Sequence, residues 1–113
     1  MKQYQHTMEI WELLTSAAQN HKIYTYGEVA DILDGLNTRG VGKSLDPIMK
    51  LCEKEGYLPL AELVVLKATG IPGHKLEMTK KEIDSIHEEI FKYDWSAIKP
   101  QIEDFKKANE EKP

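Results

Sequence analysis

The side chains able to do chemistry in this 113-residue chain are few, and most point away from catalysis. The one possible sulfur nucleophile, Cys52, falls at helical spacing with Val41, Leu45 and Ile48. That spacing turns it toward a core, where cysteine behaves as a small hydrophobe. His6, His21, His74 and His87 are not spaced as metal ligands, and a single cysteine cannot complete a zinc knuckle. Gly40 and Gly42 flank Val41 without the phosphate-loop pattern, and Glu88 and Glu89 read as solvent-facing helix residues. The expectation is a protein with no catalytic centre, metal, cofactor or small-molecule substrate. What remains is phosphate chemistry. Arg39, Lys43, Lys50 and Lys54 fall within about 60° around an uninterrupted helix, a stripe suited to a nucleic-acid backbone. Glu53 and Glu55 dilute that stripe and Pro47 threatens its alignment, so a shorter set of Arg39, Lys43 and Lys50 is preferred over a simply solvated face.

Charge is neutral on this question. The chain carries a formal −4, but the acidity is uneven. Residues 22–75 hold seven basic and seven acidic side chains, whereas 76–113 hold seven and ten. A neutral middle permits DNA binding without arguing for it. No apolar run approaches membrane-spanning length, no cleavable apolar signal opens the chain, and one cysteine suits a reducing compartment. These features lead to the expectation of a cytoplasmic protein that does not engage membranes.

The elements that must position these residues can be read from patterning. Residues 1–6 are polar and expected to be loose, and Met8, Ile10, Trp11, Leu14 and Ala18 mark a first helix. After a short extended piece at Ile23-Tyr24, Thr25-Tyr26-Gly27-Glu28 is a capping box opening a second helix. Val29, Ala30, Ile32 and Leu33 should supply its buried side, and Asp34-Gly35 its stop. Asn37-Thr38 caps a third helix, which either kinks at Asp46-Pro47 or restarts there with Asp46 as cap, and which ends at Gly56. Ala61–Lys67 reads as a buried strand, 68–73 as a turn, and 74–78 as a returning strand, together a wing. Thr79-Lys80-Lys81-Glu82 is a second capping box, opening a helix with Ile83, Ile86, His87, Ile90 and Phe91 on one face. Ile98, Ile102 and Phe105 suggest a last short helix, and 106–113 a disordered tail. Phe91, Tyr93 and Trp95 are large enough to lock the C-terminal helices onto the rest, or to offer a partner surface. The expected fold is α+β and mainly α: a winged helix-turn-helix with extra C-terminal helices. It forms a single domain over 1–113, divided into a winged unit (8–78), a helical extension (79–105) and the tail.

Trp11 and Leu14, then Tyr24-Thr25-Tyr26-Gly27-Glu28-Val29-Ala30, Arg39-Gly40-Val41-Gly42-Lys43-Ser44-Leu45, and Pro59 before Val64-Val65 carry a resemblance. Over roughly residues 8–73 the chain resembles the C-terminal DNA-binding domain of alkylguanine-DNA alkyltransferases and the noncatalytic alkyltransferase-like proteins. The resemblance implies a helix-turn-helix that binds DNA through the minor groove and extrudes a damaged base. It would make Arg39 the side chain that fills the vacated space, and Tyr26 the one that presses on the target phosphate. On the residues alone, Tyr26 could equally cover the core and Arg39 could pair with a nearby carboxylate. The family's reactive stretch, Pro-Cys-His-Arg followed by two valines, is here Pro59-Leu60-Ala61-Glu62-Leu63-Val64-Val65. Alkyl transfer needs a thiolate with a supporting base, and neither is present.

Two functions follow as expectations. The first is a noncatalytic, repair-related duplex-DNA-binding protein using Tyr26, Arg39, Lys43, Lys50, Lys67 and Lys75. The second is a small protein-interaction or inhibitor module, phage-related in character, on a scaffold that no longer binds DNA. Its partner would engage the acidic C-terminal helices.

Overall fold

The computed structural model describes residues 2–33, 36–73 and 78–110, without the side chains of residues 2 and 3. Five helices dominate: α1 (Lys2–Gln19), α2 (Tyr26–Ile32), α3 (Thr38–Glu55), α4 (Lys80–Lys92) and α5 (Ile102–Glu110). A small parallel sheet joins β1 (Tyr24–Thr25) to β2 (Val64–Val65), with Tyr24 opposite Val64 and Thr25 opposite Val65. The architecture is α+β and mainly α, as patterning suggested.

Both capping boxes form. Thr25 Oγ1 accepts from the Glu28 amide at 3.1 Å while Glu28 accepts from the Thr25 amide at 2.8 Å, and Thr79 and Glu82 repeat the exchange. Asn37 caps α3 by accepting from the Gly40 amide at 2.8 Å. Gly56 closes α3 in the left-handed region, φ 74°, which a side chain would disfavour. Between these caps α3 runs through Pro47 as one 18-residue helix, so Asp46 is an exposed mid-helix residue and not a cap. Val41, Leu45, Ile48 and Cys52 line its buried side. Burying that shared face on α1, α2 and α5 outweighs the one backbone bond proline removes.

Several expectations are corrected. The chain is already helical from Lys2 rather than loose over 1–6. Tyr4 is buried, with its hydroxyl accepting from Asn109 Nδ2 at 3.1 Å, and Thr7 donates to the Ser44 carbonyl at 2.7 Å. At the other end, residues 106–110 continue α5, because Phe105 and Ala108 are buried against α1 and α3 while the charges face outward. Ile32 is half exposed and does not join Val29 and Leu33 in the core. The strand expected over 61–67 is only Val64–Val65, preceded by a 3-10 turn at Leu60–Leu63. The Glu62 amide donates to the Pro59 carbonyl at 3.0 Å, and β1 offers only two residues before Thr25 turns into α2. The pairing of β2 with β1 thus differs from a wing hairpin. After β2 the chain reverses through Gly70 (φ 71°), with the Leu66 amide donating to the Ile71 carbonyl at 2.9 Å. The strand expected at 74–78 falls mostly on residues outside the described ones, as do the Asp34-Gly35 stop, Lys75 and residues 111–113; Met78 lies in a bend.

The C-terminal helices are fastened by aromatic packing. Trp11 meets Trp95 edge-on at 5.8 Å and Phe105 at 5.7 Å, and Trp95 donates its indole N–H to the Ile90 carbonyl at 3.0 Å. Trp95 and Phe105 thereby serve the core they share with α1.

Candidate nucleic-acid interface

The loop after β2 returns beside the start of α2, and α3 begins across from both. Between them lies an open cleft of about 580 Å³, lined by Thr25, Tyr26, Gly27, Thr38, Arg39, Leu66, Lys67 and Gly73. Three of the expected site residues, Tyr26, Arg39 and Lys67, are brought together here from positions far apart in sequence. Arg39 is exposed in the first turn of α3 and makes no ion pair among the described residues. An arginine there, beside the unsatisfied amides of a long helix, gives a setting that favours an anion.

Tyr26 is half-buried. Burial pushes its phenol above the usual value near 10, against a donated hydrogen bond from the Gly73 amide. Asp46 raises it further, which places that carboxylate's field over the same cleft. The phenol therefore stays protonated at neutral pH, with its proton available to an acceptor. Gly73 approaches closely: a methyl there would lie 3.2 Å from the Tyr26 hydroxyl.

Lys43 and Lys50 are exposed on α3 but do not line the cleft. With α3 unbroken, Arg39, Lys43, Lys50 and Lys54 keep the angular alignment of their stripe past Pro47, while Glu53 and Glu55 still flank its far end. Asp46 is exposed at the edge of that stripe. It lies seven residues from Arg39, close to the same angular position, and the spacing alone would have revealed it. Leu66 and Gly73 also escaped notice, since only the loop reversal at 66–71 brings them to Tyr26.

The segment Leu60–Leu63 lies elsewhere and is built differently. Leu60, Ala61, Glu62 and Leu63 are all buried, Glu62 with only 3% of its surface exposed. Pro59 and Glu62 line a second cavity of about 580 Å³ with Met49, Lys50, Cys52, Glu53 and Tyr57. Burial pushes the Cys52 thiol up to about 11, although the Leu60 amide bonds to its sulfur, so it is a poor nucleophile at neutral pH. His87, from α4, bonds through Nε2 to the Glu62 carbonyl at 2.6 Å. A carbonyl only accepts, so Nε2 carries the proton, and burial holds this imidazole below its usual value near 6.5.

Among the described residues no group of three His, Cys, Asp or Glu could hold a metal ion, and no helix is long and apolar enough to cross a membrane. No family model, curated protein or solved structure matches this chain.

Proposed function

We propose that this is a noncatalytic protein that binds duplex DNA through the cleft between α2, the start of α3 and the β2 exit loop, in the manner of a winged helix-turn-helix. The observation that carries the reading is the convergence of Tyr26, Arg39 and Lys67 on one open cleft. Arg39 supplies a planar cation able to pair with phosphate or stack on a base. Tyr26 supplies a protonated hydroxyl, and Lys67 a second cation on the opposite wall. Such contacts to sugar and phosphate fix register without reading sequence. Lys43 and Lys50 extend the contact along α3, and Lys75, outside the described residues, belongs to the same expected set. The resemblance to alkyltransferase-like proteins supports the same face, and with it a role in repair. The buried Leu60-Ala61-Glu62 supports the absence of transfer chemistry.

The test is fluorescence anisotropy of labelled duplexes, plain, mismatched and alkylated, at low salt. Binding should fall steeply as salt rises. Arg39→Ala should weaken it by about tenfold to a hundredfold, the range for loss of one well-placed arginine contact, with an unchanged melting curve. A folded protein that binds none of these duplexes at low salt overturns the reading. Capture of a protein partner regardless of nuclease treatment would favour the interaction module instead.

A further inference from the structure

A third cavity lies at the opposite end of α3. It measures about 230 Å³ and is bounded by Leu51, Lys54, Glu55 and Tyr57, by residues 97–100, and by Asp104 and Lys107 of α5. Three lysines share its rim: Lys54 from α3, Lys99 from the α4–α5 connection and Lys107 from α5. Lys99 and Lys107 are exposed and pair with no carboxylate among the described residues. Of the two acids on the rim, Asp104 is committed to the start of α5, accepting from the Gln101 amide at 2.7 Å. Lys54 closes the stripe that begins at Arg39, and with 1.5 Å of rise per residue the two lie about 23 Å apart along the helix. Around that helix Asp46 and Glu53 sit on one edge of the stripe, while Lys54, Lys107 and Lys99 continue from the other. The positive surface thus forms a band from Arg39 through Lys43 and Lys50 to α5. Asp46 and Glu53 screen one side of it, and Glu55 and Asp104 lie at its α5 end.

We propose that the duplex extends beyond the cleft, with Lys99 and Lys107 as a second phosphate-binding point at the α3–α5 end. This rests on the reading of the cleft as a DNA site and enlarges it. A straight duplex rises 3.4 Å per base pair, so about 23 Å of α3 corresponds to about seven base pairs, less than one helical turn, over which backbone phosphates of both strands in succession face one side. The C-terminal helices, acidic in sum, then present their lysines to DNA rather than repel it. Tyr57 adds a hydroxyl at the same rim, kept protonated by burial and by Glu55.

The experiment compares salt dependence. Anisotropy of a labelled duplex of about 20 base pairs is followed from 50 to 200 mM salt for the native chain, for Arg39→Ala and for the double variant Lys99→Ala/Lys107→Ala, whose folding is checked by melting. With two phosphate contacts removed, the slope of log affinity against log salt should fall by about 2, and the loss of affinity across that range should shrink about tenfold. An unchanged slope for the double variant, beside native binding weakened by Arg39→Ala, overturns the extension and leaves the cleft standing. No binding by the native chain at 50 mM overturns both.

Discussion

The cleft at Tyr26 and Arg39 and the buried segment at Leu60–Leu63 are built in opposite ways. In the cleft the side chains are exposed or half-buried, held by backbone caps and by a glycine at close approach, and left with bonding capacity to spare. In the segment every side chain is in the core, and the one carboxylate is enclosed. The contrast teaches that scaffold and chemistry are separable here. A face for an anion needs helix starts and a reversal loop, and the cleft has both. Transfer chemistry needs a reactive atom with solvent or substrate access, and the Leu60–Leu63 segment is packed into the interior.

The sharpest way to break this contrast is a pair of substitutions. Leu60→Ala should cost about 2–5 kcal/mol of stability, the usual range for truncating a fully buried leucine, read as a large fall in melting temperature or denaturation midpoint. Arg39→Ala should change stability by no more than about 0.5 kcal/mol, as exposed positions do, while removing most DNA affinity. If Leu60→Ala leaves the melting curve unmoved, or Arg39→Ala unfolds the chain, the division into packed segment and working face is wrong.

Acid titration sharpens the segment's side of the comparison. His87 holds the Glu62 carbonyl, and its folded pKa lies below the unfolded value near 6.5. Above that value both states are neutral and the full stability is present. As the pH falls through it the unfolded chain takes up the proton first, so stability declines until the folded imidazole also protonates. Urea midpoints measured from pH 8 to pH 5 should therefore fall on the acid side for the native chain. His87→Gln can keep the donated hydrogen bond but cannot titrate, so it should flatten that decline. An equally steep decline in the variant would assign the effect to other groups.

Local signals carried much of the fold, and long-range ones carried the errors. Thr25 with Glu28, Asn37, Thr79 with Glu82, and Gly56 set helix ends through bonds within four residues, so their spacing told the truth. The boundaries that misled depend on distant partners. Lys2–Thr7 is helical because Tyr4 meets Asn109 and Thr7 meets Ser44, neither of which a window of local sequence contains. The Ala61–Lys67 strand failed for a similar reason. Its apolar, β-branched composition signals burial, and burial in a 3-10 turn reads the same as burial in a strand. At the cleft, Tyr26 and Arg39 were legible from capping and from the resemblance. Asp46 was legible from its spacing to Arg39, whereas Leu66 and Gly73 were not, because only the loop reversal brings them beside Tyr26.

The smallest effect tests the cleft most finely. Tyr26→Phe keeps the ring and its packing but deletes the hydroxyl that accepts from the Gly73 amide. One neutral hydrogen bond contributes about 0.5–1.5 kcal/mol, so stability should drop by that order, since the Gly73 amide is left to find water in an open cleft. If the hydroxyl also donates to phosphate, affinity for duplex DNA should fall several-fold as well, by an amount that does not depend on sequence. The phenol is protonated throughout the neutral range, so this loss should be the same at pH 7 and pH 8.5. Asp46→Asn supplies the complementary measurement: removing a negative charge from the cleft should strengthen binding, most at low salt, where the repulsion is least screened. A Tyr26→Phe variant that loses stability without losing affinity would make the tyrosine a strut for the loop. Arg39 and Lys67 would then be the cleft's own contacts in the proposed complex.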